Sequence, residues 1–205
     1  MRRMYDPYTV CGYFLCGQGL LSPPLRKGFP RPKKQADSYL RQEDKLWCVK
    51  AYALLRRVVG LEECWIEKSE FGKPYIKDRE DFHYNLSHSG RYVVIAWGPS
   101  EVGVDVQQHD VSVGAEAIVC RYFTIDECAY IGGNLSRFYE IWTKRESYLK
   151  FTGKGLKKSL GSFSTILPDS GIRYRHRYLD GGYSLSLCTT EKNDTFELLD
   201  VQQLI

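Results

Sequence analysis

An aspartate between two valines, Val104-Asp105-Val106, is the first feature of this sequence that asks for a chemical explanation. In an extended strand, Gly103, Asp105 and Gln107 share one face and the valines share the other. A carboxylate among apolar neighbours is costly unless something pairs with it. A metal cation meets that need, and so does an Arg or Lys. A second constellation is Trp142-Thr-Lys-Arg-Glu-Ser-Tyr-Leu-Lys150. Trp142, Glu146 and Lys150 are spaced by four and fall on one helix face. On an exposed face Glu146 and Lys150 would form an ordinary surface pair worth about 0.2–0.5 kcal/mol. Trp142 on the same face argues for partial burial, and buried charges need a partner or a task.

Three further stretches carry polar chemistry. Phe82-His-Tyr-Asn-Leu-Ser-His-Ser-Gly90 sets hydroxyls and an imidazole beside a glycine. It reads as an Asn/Ser-rich turn leading into a strand. The same turn can offer backbone N–H groups, Ser87 and His88 to an anion. The stretch Phe71-Gly-Lys73-Pro74-Tyr75 reads as a turn fixed by its proline. Residues 22–34 hold four prolines among Arg26, Lys27, Arg31, Lys33 and Lys34. They form a basic, proline-stiffened loop, either a solvated connection or a clamp for a phosphate. Ser87, His88 and Asp105 have the residue types of a hydrolase triad, but no G-x-S-x-G elbow supports one.

The elements that must position these groups follow from periodicity. Trp47, Ala51, Leu54, Leu55 and Val58 mark an amphipathic helix over residues 42–59, stopped by Gly60. Tyr92–Trp97 is a buried strand and residues 101–107 form a second, alternating one. A helix is expected over residues 114–121, and Thr124-x-x-Glu127 has the capping-box spacing that opens another. Phe138, Trp142 and Leu149 belong to a helix over 135–151 that Gly153 and Gly155 end. Strands are expected at 161–166, 172–178, 183–188 and 195–199. Gly98-Pro99-Ser100 divides the chain into an N-terminal α+β half, 1–99, and a C-terminal α+β half, 100–205, that carries the Asp105 and Glu146 motifs.

Composition narrows the function classes. The chain has 205 residues, 43% hydrophobic and 26% charged, which suits a globular protein and excludes a disordered one. No apolar run approaches the length of a membrane span. Asp6, Pro7, Gly12 and Gly17 interrupt the apolar N-terminal patch, so no signal peptide is expected. A net charge of +4 is too mild for a dedicated nucleic-acid binder and suits acidic partners or phosphorylated small molecules. Seven scattered cysteines without a CxxC pair predict reduced thiols in the cytoplasm.

Taken together, FGKPYI (71–76), YNLSHSG (84–90), GVDVQ (103–107), RYFTIDE (121–127) and WTKRESYLKFTGKGL (142–156) resemble the 4′-phosphopantetheinyl transferases of the surfactin-synthetase-activating type. LGSFSTI (160–166) and GGYSLSLC (181–188) are similar to that family's closing strands. The resemblance covers roughly residues 35 to 190. It implies an α+β fold of two similar halves in a pseudo-twofold arrangement. It implies transfer of 4′-phosphopantetheine from coenzyme A to a serine of an apo acyl or peptidyl carrier protein, with Mg²⁺, releasing 3′,5′-ADP. The nucleophile would belong to the partner.

By the same resemblance, Asp105 and Glu146 would ligate Mg²⁺, joined by Gln107 directly or through a water. Lys150 would touch the diphosphate. Glu146, or a water beside the metal, would take the proton from the incoming serine. Ser87 would bind coenzyme A, His88 and a loop lysine, Lys33 or Lys34, would hold its 3′-phosphate, and Lys73-Pro74 would lie near the adenine. Two positions depart from the pattern. Gln107 stands where the family often has a second acid, and Arg145 stands where it has a lysine. Glu127 is expected to serve mainly as a helix cap, with a general-base role as its alternative. A cytoplasmic monomer without nucleic-acid or membrane partners is expected. The alternatives are a catalytically weak relative that binds coenzyme A or carrier protein without efficient transfer, and a phosphate-binding structural protein.

Overall fold

The computed structural model describes residues 66–154 and 160–192, the backbone of the strands Cys11–Phe14 and Leu198–Asp200, and the buried helical residues Ala51 and Leu55. The basic loop with Lys33 and Lys34, and the rest of the helix expected over 42–59, lie outside the described residues. The fold is mixed α/β. In chain order the strands are β1 (Cys11–Phe14), β2 (Ile66–Lys68), β3 (Pro74–Ile76), β4 (His83–Ser89), β5 (Tyr92–Gly98), β6 (Val102–Gln108), β7 (Arg173–Leu179), β8 (Tyr183–Thr189) and β9 (Leu198–Asp200). The helices among the described residues, besides that of Ala51 and Leu55, are α1 (Ala115–Tyr122), α2 (Ile125–Ile131) and α3 (Leu135–Thr152).

Two sheets face each other. One has the order β4-β5-β1-β9, with the late strand β9 parallel to β1, and the other has the order β6-β8-β7. Alternation in β6 turns Val102, Val104 and Val106 towards the first sheet. There they pack with Leu185 and Leu187 of β8 and with Val94 and Ala96 of β5. The opposite face of β6 meets α3 at close range. A Cβ built on Gly103 would sit 2.0 Å from the Ser147 carbonyl oxygen and 2.4 Å from the Phe151 nitrogen. Only glycine lets α3 lie this near the strand. Asn134 caps the start of α3 by accepting from the Arg137 N–H at 3.0 Å, and Gly153 ends it at φ +65°.

Two expectations are corrected. The Asn/Ser-rich stretch is not a turn but strand β4, paired antiparallel with β5 from His83↔Gly98 to Ser89↔Tyr92. Its polar residues at every second position face β6, whose backbone they serve. Val104 N–H donates to Asn85 Oδ1 at 2.9 Å, Val106 N–H to Ser87 Oγ at 3.3 Å and Gln108 N–H to Ser89 Oγ at 2.9 Å. Buried donors on the free edge of β6 are thereby satisfied by side chains of the other sheet. The strand expected at 161–166 is instead a 3₁₀ turn, Leu160–Ser162, followed by irregular chain. Phe163 and Thr165 are buried and imitate strand alternation. Yet Thr165 N–H donates to Glu127 Oε1 and Ile166 N–H to Ser164 Oγ, so side chains take the place of a partner strand. Among the described residues no helix is long and apolar enough to cross a membrane.

Behind β6, the α3-facing row of the second sheet is polar. Asp105, Ser186 and His176 lie in register across β6, β8 and β7. His176 Nδ1 is 3.0 Å from Ser186 Oγ, which is itself 2.8 Å from Thr143 Oγ1 on α3. Burial pushes the His176 imidazole down to about 4 from its ordinary 6.5, with Lys144 and His109 adding to the effect and Glu140 opposing it. The unfolded chain takes up this proton near pH 6.5 and the folded one near pH 4. Stability from this residue is therefore full above pH 6.5 and lost as pH falls to about 4, by at most about 3 kcal/mol. Urea unfolding midpoints from pH 7 to 4.5 should fall less steeply in His176→Gln than in the unaltered protein. Parallel slopes would count against this assignment.

Candidate active site

Strand β4 and β6 and helix α3 bring Ser87, Asp105 and Lys150 into one cluster. Lys150 Nζ donates to Asp105 Oδ1 at 2.6 Å and to Ser87 Oγ at 2.9 Å, and Ser87 Oγ donates to Asp105 Oδ1 at 2.8 Å. The strand register puts Asp105 on the α3 side, and α3 delivers Lys150 from its last turn. Asp105 and Ser87 are buried, and Lys150 is half-buried. Of the two partners open to Asp105 in the sequence, the lysine is thus present in the fold.

Glu146 lies one turn before Lys150 and is half-buried. Burial raises its carboxyl above the usual carboxylate range, and the Asp105 carboxylate raises it further, against the pull of Lys150 and Arg145. The Asp105 carboxylate repels that of Glu146, and a cation beside both would relieve the repulsion. Their oxygens are hard donors that suit Mg²⁺. Among the described residues no three of His, Cys, Asp and Glu come together as a metal-ligand group. A cation here would take two carboxylates from the protein and the rest of its shell from other oxygens.

The remaining expected site residues are more dispersed. Gln107 is on the Asp105 face of β6 but lies in a groove of about 140 Å³ with Phe138 and Trp142. Its amide Nε2 donates to the Gln108 carbonyl at 3.4 Å. His88 is exposed and, one residue from Ser87 in a strand, points to the opposite face of β4. Lys73 pairs with Glu101 and donates to the carbonyls of Val102 and Phe151, both at 3.1 Å. It ties the end of α3 to the start of β6. Lys73 and Pro74 also line a cavity of about 530 Å³ with Tyr75, Phe82 and His83.

The family model of the 4′-phosphopantetheinyl transferase superfamily matches residues 101–199, which include β6, all of α3 and the strands beneath it. The 4′-phosphopantetheinyl transferase Sfp of Bacillus subtilis (strain 168) is 30% identical over 183 residues, 78% of this chain and 80% of that protein. The chain belongs to the 4′-phosphopantetheinyl transferase superfamily. Two more Bacillus subtilis phosphopantetheinyl transferases are each 37% identical. One aligns over 107 residues, 50% of this chain and 47% of the relative, and the other, ffp, over 140 residues, 58% and 60%. The chain thus spans between about half and four fifths of the length of these relatives.

Within this phosphopantetheinyl transferase family member, two pairs of residues carry more than the sequence shows. Arg145 and Glu127 form a fully buried ion pair that joins α3 to α2. Asn85 and Ser89 flank Ser87 and hold β4 against β6 beside Asp105. Their i, i+2, i+4 spacing in Asn85-x-Ser87-x-Ser89 is the available signal. It means a strand whose polar face is turned inward.

Proposed function

We propose that this chain transfers the 4′-phosphopantetheine arm of coenzyme A to a serine of an apo acyl or peptidyl carrier protein, with Mg²⁺, releasing 3′,5′-ADP. The observation that carries the reading is the convergence of Lys150, Ser87 and Asp105 beside the Glu146 carboxyl. Mg²⁺ would be held by Asp105 and Glu146. It would supply positive charge where the diphosphate bond breaks. Lys150 reaches the same place on a flexible stem and can bind a diphosphate oxygen. Glu146, or a water beside the metal, would take the proton from the carrier serine. His88, exposed near the end of β4, would hold the 3′-phosphate with Lys33 or Lys34, and Lys73-Pro74 would border the adenine.

The two halves of the chain, 1–99 and 100–205, would meet at this site in a pseudo-twofold arrangement. Ser87 comes from the first half, and Asp105, Glu146 and Lys150 come from the second. A cytoplasmic monomer fits one cleft built from a single chain. The test is mass spectrometry of an apo carrier protein after incubation with the enzyme, Mg²⁺ and coenzyme A. The expected result is one added phosphopantetheine on the carrier serine, suppressed by EDTA. A carrier of unchanged mass under these conditions refutes the proposal.

A further inference from the structure

Among the described residues, both hydrogen bonds to the Asp105 carboxylate fall on one oxygen. Oδ1 accepts from Lys150 Nζ at 2.6 Å and from Ser87 Oγ at 2.8 Å. The Ser87 hydroxyl is itself fully used. It donates its proton to Asp105, and it accepts from Lys150 at 2.9 Å and from the Val106 N–H at 3.3 Å. Oδ1 is therefore neutralised by an ammonium that a buried serine holds in place. The Asp105 and Lys150 side chains are 9% and 29% exposed, so the carboxylate is shielded while the ammonium is partly open to solvent.

We propose that Lys150 is a displaceable counter-cation of Asp105. In the coenzyme-free protein it opposes a divalent cation at the Asp105–Glu146 pair, and it moves to the diphosphate when coenzyme A binds. Metal and diphosphate binding are coupled through this one side chain. The inference rests on the transfer reading of the site. A second cation beside an ammonium already on the carboxylate meets direct repulsion in a partly shielded place. An incoming diphosphate offers the ammonium a more highly charged partner. The four-carbon lysine stem allows the exchange without movement of α3, which Gly103 holds against β6. By linkage, whatever diphosphate does for metal affinity, metal does for diphosphate affinity.

The experiment is titration of coenzyme-free, full-length protein with Mn²⁺, reading free Mn²⁺ by electron paramagnetic resonance. Lys150→Met keeps the length of the side chain and removes its charge. It should bind Mn²⁺ at least about tenfold more tightly than the unaltered protein. Lys150→Arg, which keeps the charge, should stay near the unaltered affinity. Adding Asp105→Asn to Lys150→Met should abolish the gain. Coenzyme A, without carrier, should enhance Mn²⁺ affinity less in Lys150→Met than in the unaltered protein. Thermal melts of each variant check that the fold is retained. Equal or weaker Mn²⁺ binding by a folded Lys150→Met, or an Arg variant that behaves like Met, overturns the proposal. Failure of the unaltered protein to modify any carrier would refute the transfer reading alone, because the Mn²⁺ titration still decides whether Lys150 competes for Asp105.

Discussion

Replacing Asp105 by Asn should lower the rate of phosphopantetheine transfer about 10²–10³-fold, the order expected for loss of one preorganised charge at a reacting centre. The substitution keeps the size of the side chain and an oxygen that can accept from Ser87 and Lys150. It removes the negative charge that, with Glu146, would hold the cation. Folding should survive. The valines either side of position 105 pack on the first sheet and do not depend on its charge. Lys150, left without its carboxylate, is 29% exposed and can turn to water. Turnover with an apo carrier, measured beside a thermal melt, separates the two effects. Near-normal turnover in a folded Asp105→Asn would remove Asp105 from the proposed cation site.

Much of this arrangement was legible because it is local. The strand face that carries Asp105 follows from alternation, and the spacing of Glu146 and Lys150 follows from the helical period. What was not legible depends on contacts distant in sequence. Strand β4 looks like a turn because it is rich in Asn and Ser. Those residues bond the backbone of β6, 19 positions away, and nothing local says so. Phe163 and Thr165 look like a strand because they alternate, but the Phe163 carbonyl accepts from Arg145 on α3 and the Thr165 N–H donates to Glu127 on α2. Lys73 reads as an adenine neighbour by resemblance. Its ammonium is bonded to carbonyls of β6 and α3, a tie no short-range pattern reveals.

Glu127 shows the same limit at one residue and leads to the largest expected stability change. The capping-box spacing identified part of its work, since Thr124 N–H donates to Glu127 Oε2 at 3.1 Å. The fold adds an ion pair from Arg145 Nη1 to the same oxygen, and hydrogen bonds from the Thr165 N–H and hydroxyl to Oε1, both at 2.9 Å. Arg145 also donates to the carbonyls of Phe163 and Tyr122 at 3.2 and 3.1 Å, and its guanidinium lies over the rings of Phe163 and Phe123. Glu127 is 0% exposed and Arg145 is 1% exposed. A carboxylate so enclosed cannot reach a carrier serine, so a structural role is expected. Removing one charge of a buried pair strands the other, at a cost of about 3–5 kcal/mol. For a chain of this size that is a fall in melting temperature of roughly 10 °C. Arg145→Met and Glu127→Gln should each show a loss of this order. The double variant should lose less than the sum of the two, because the second change removes the stranded charge. Below its melting temperature, folded Glu127→Gln should retain most of its transfer rate. A folded Glu127→Gln with unchanged melting temperature and a large loss of turnover would assign the proton-accepting role to Glu127 instead of Glu146.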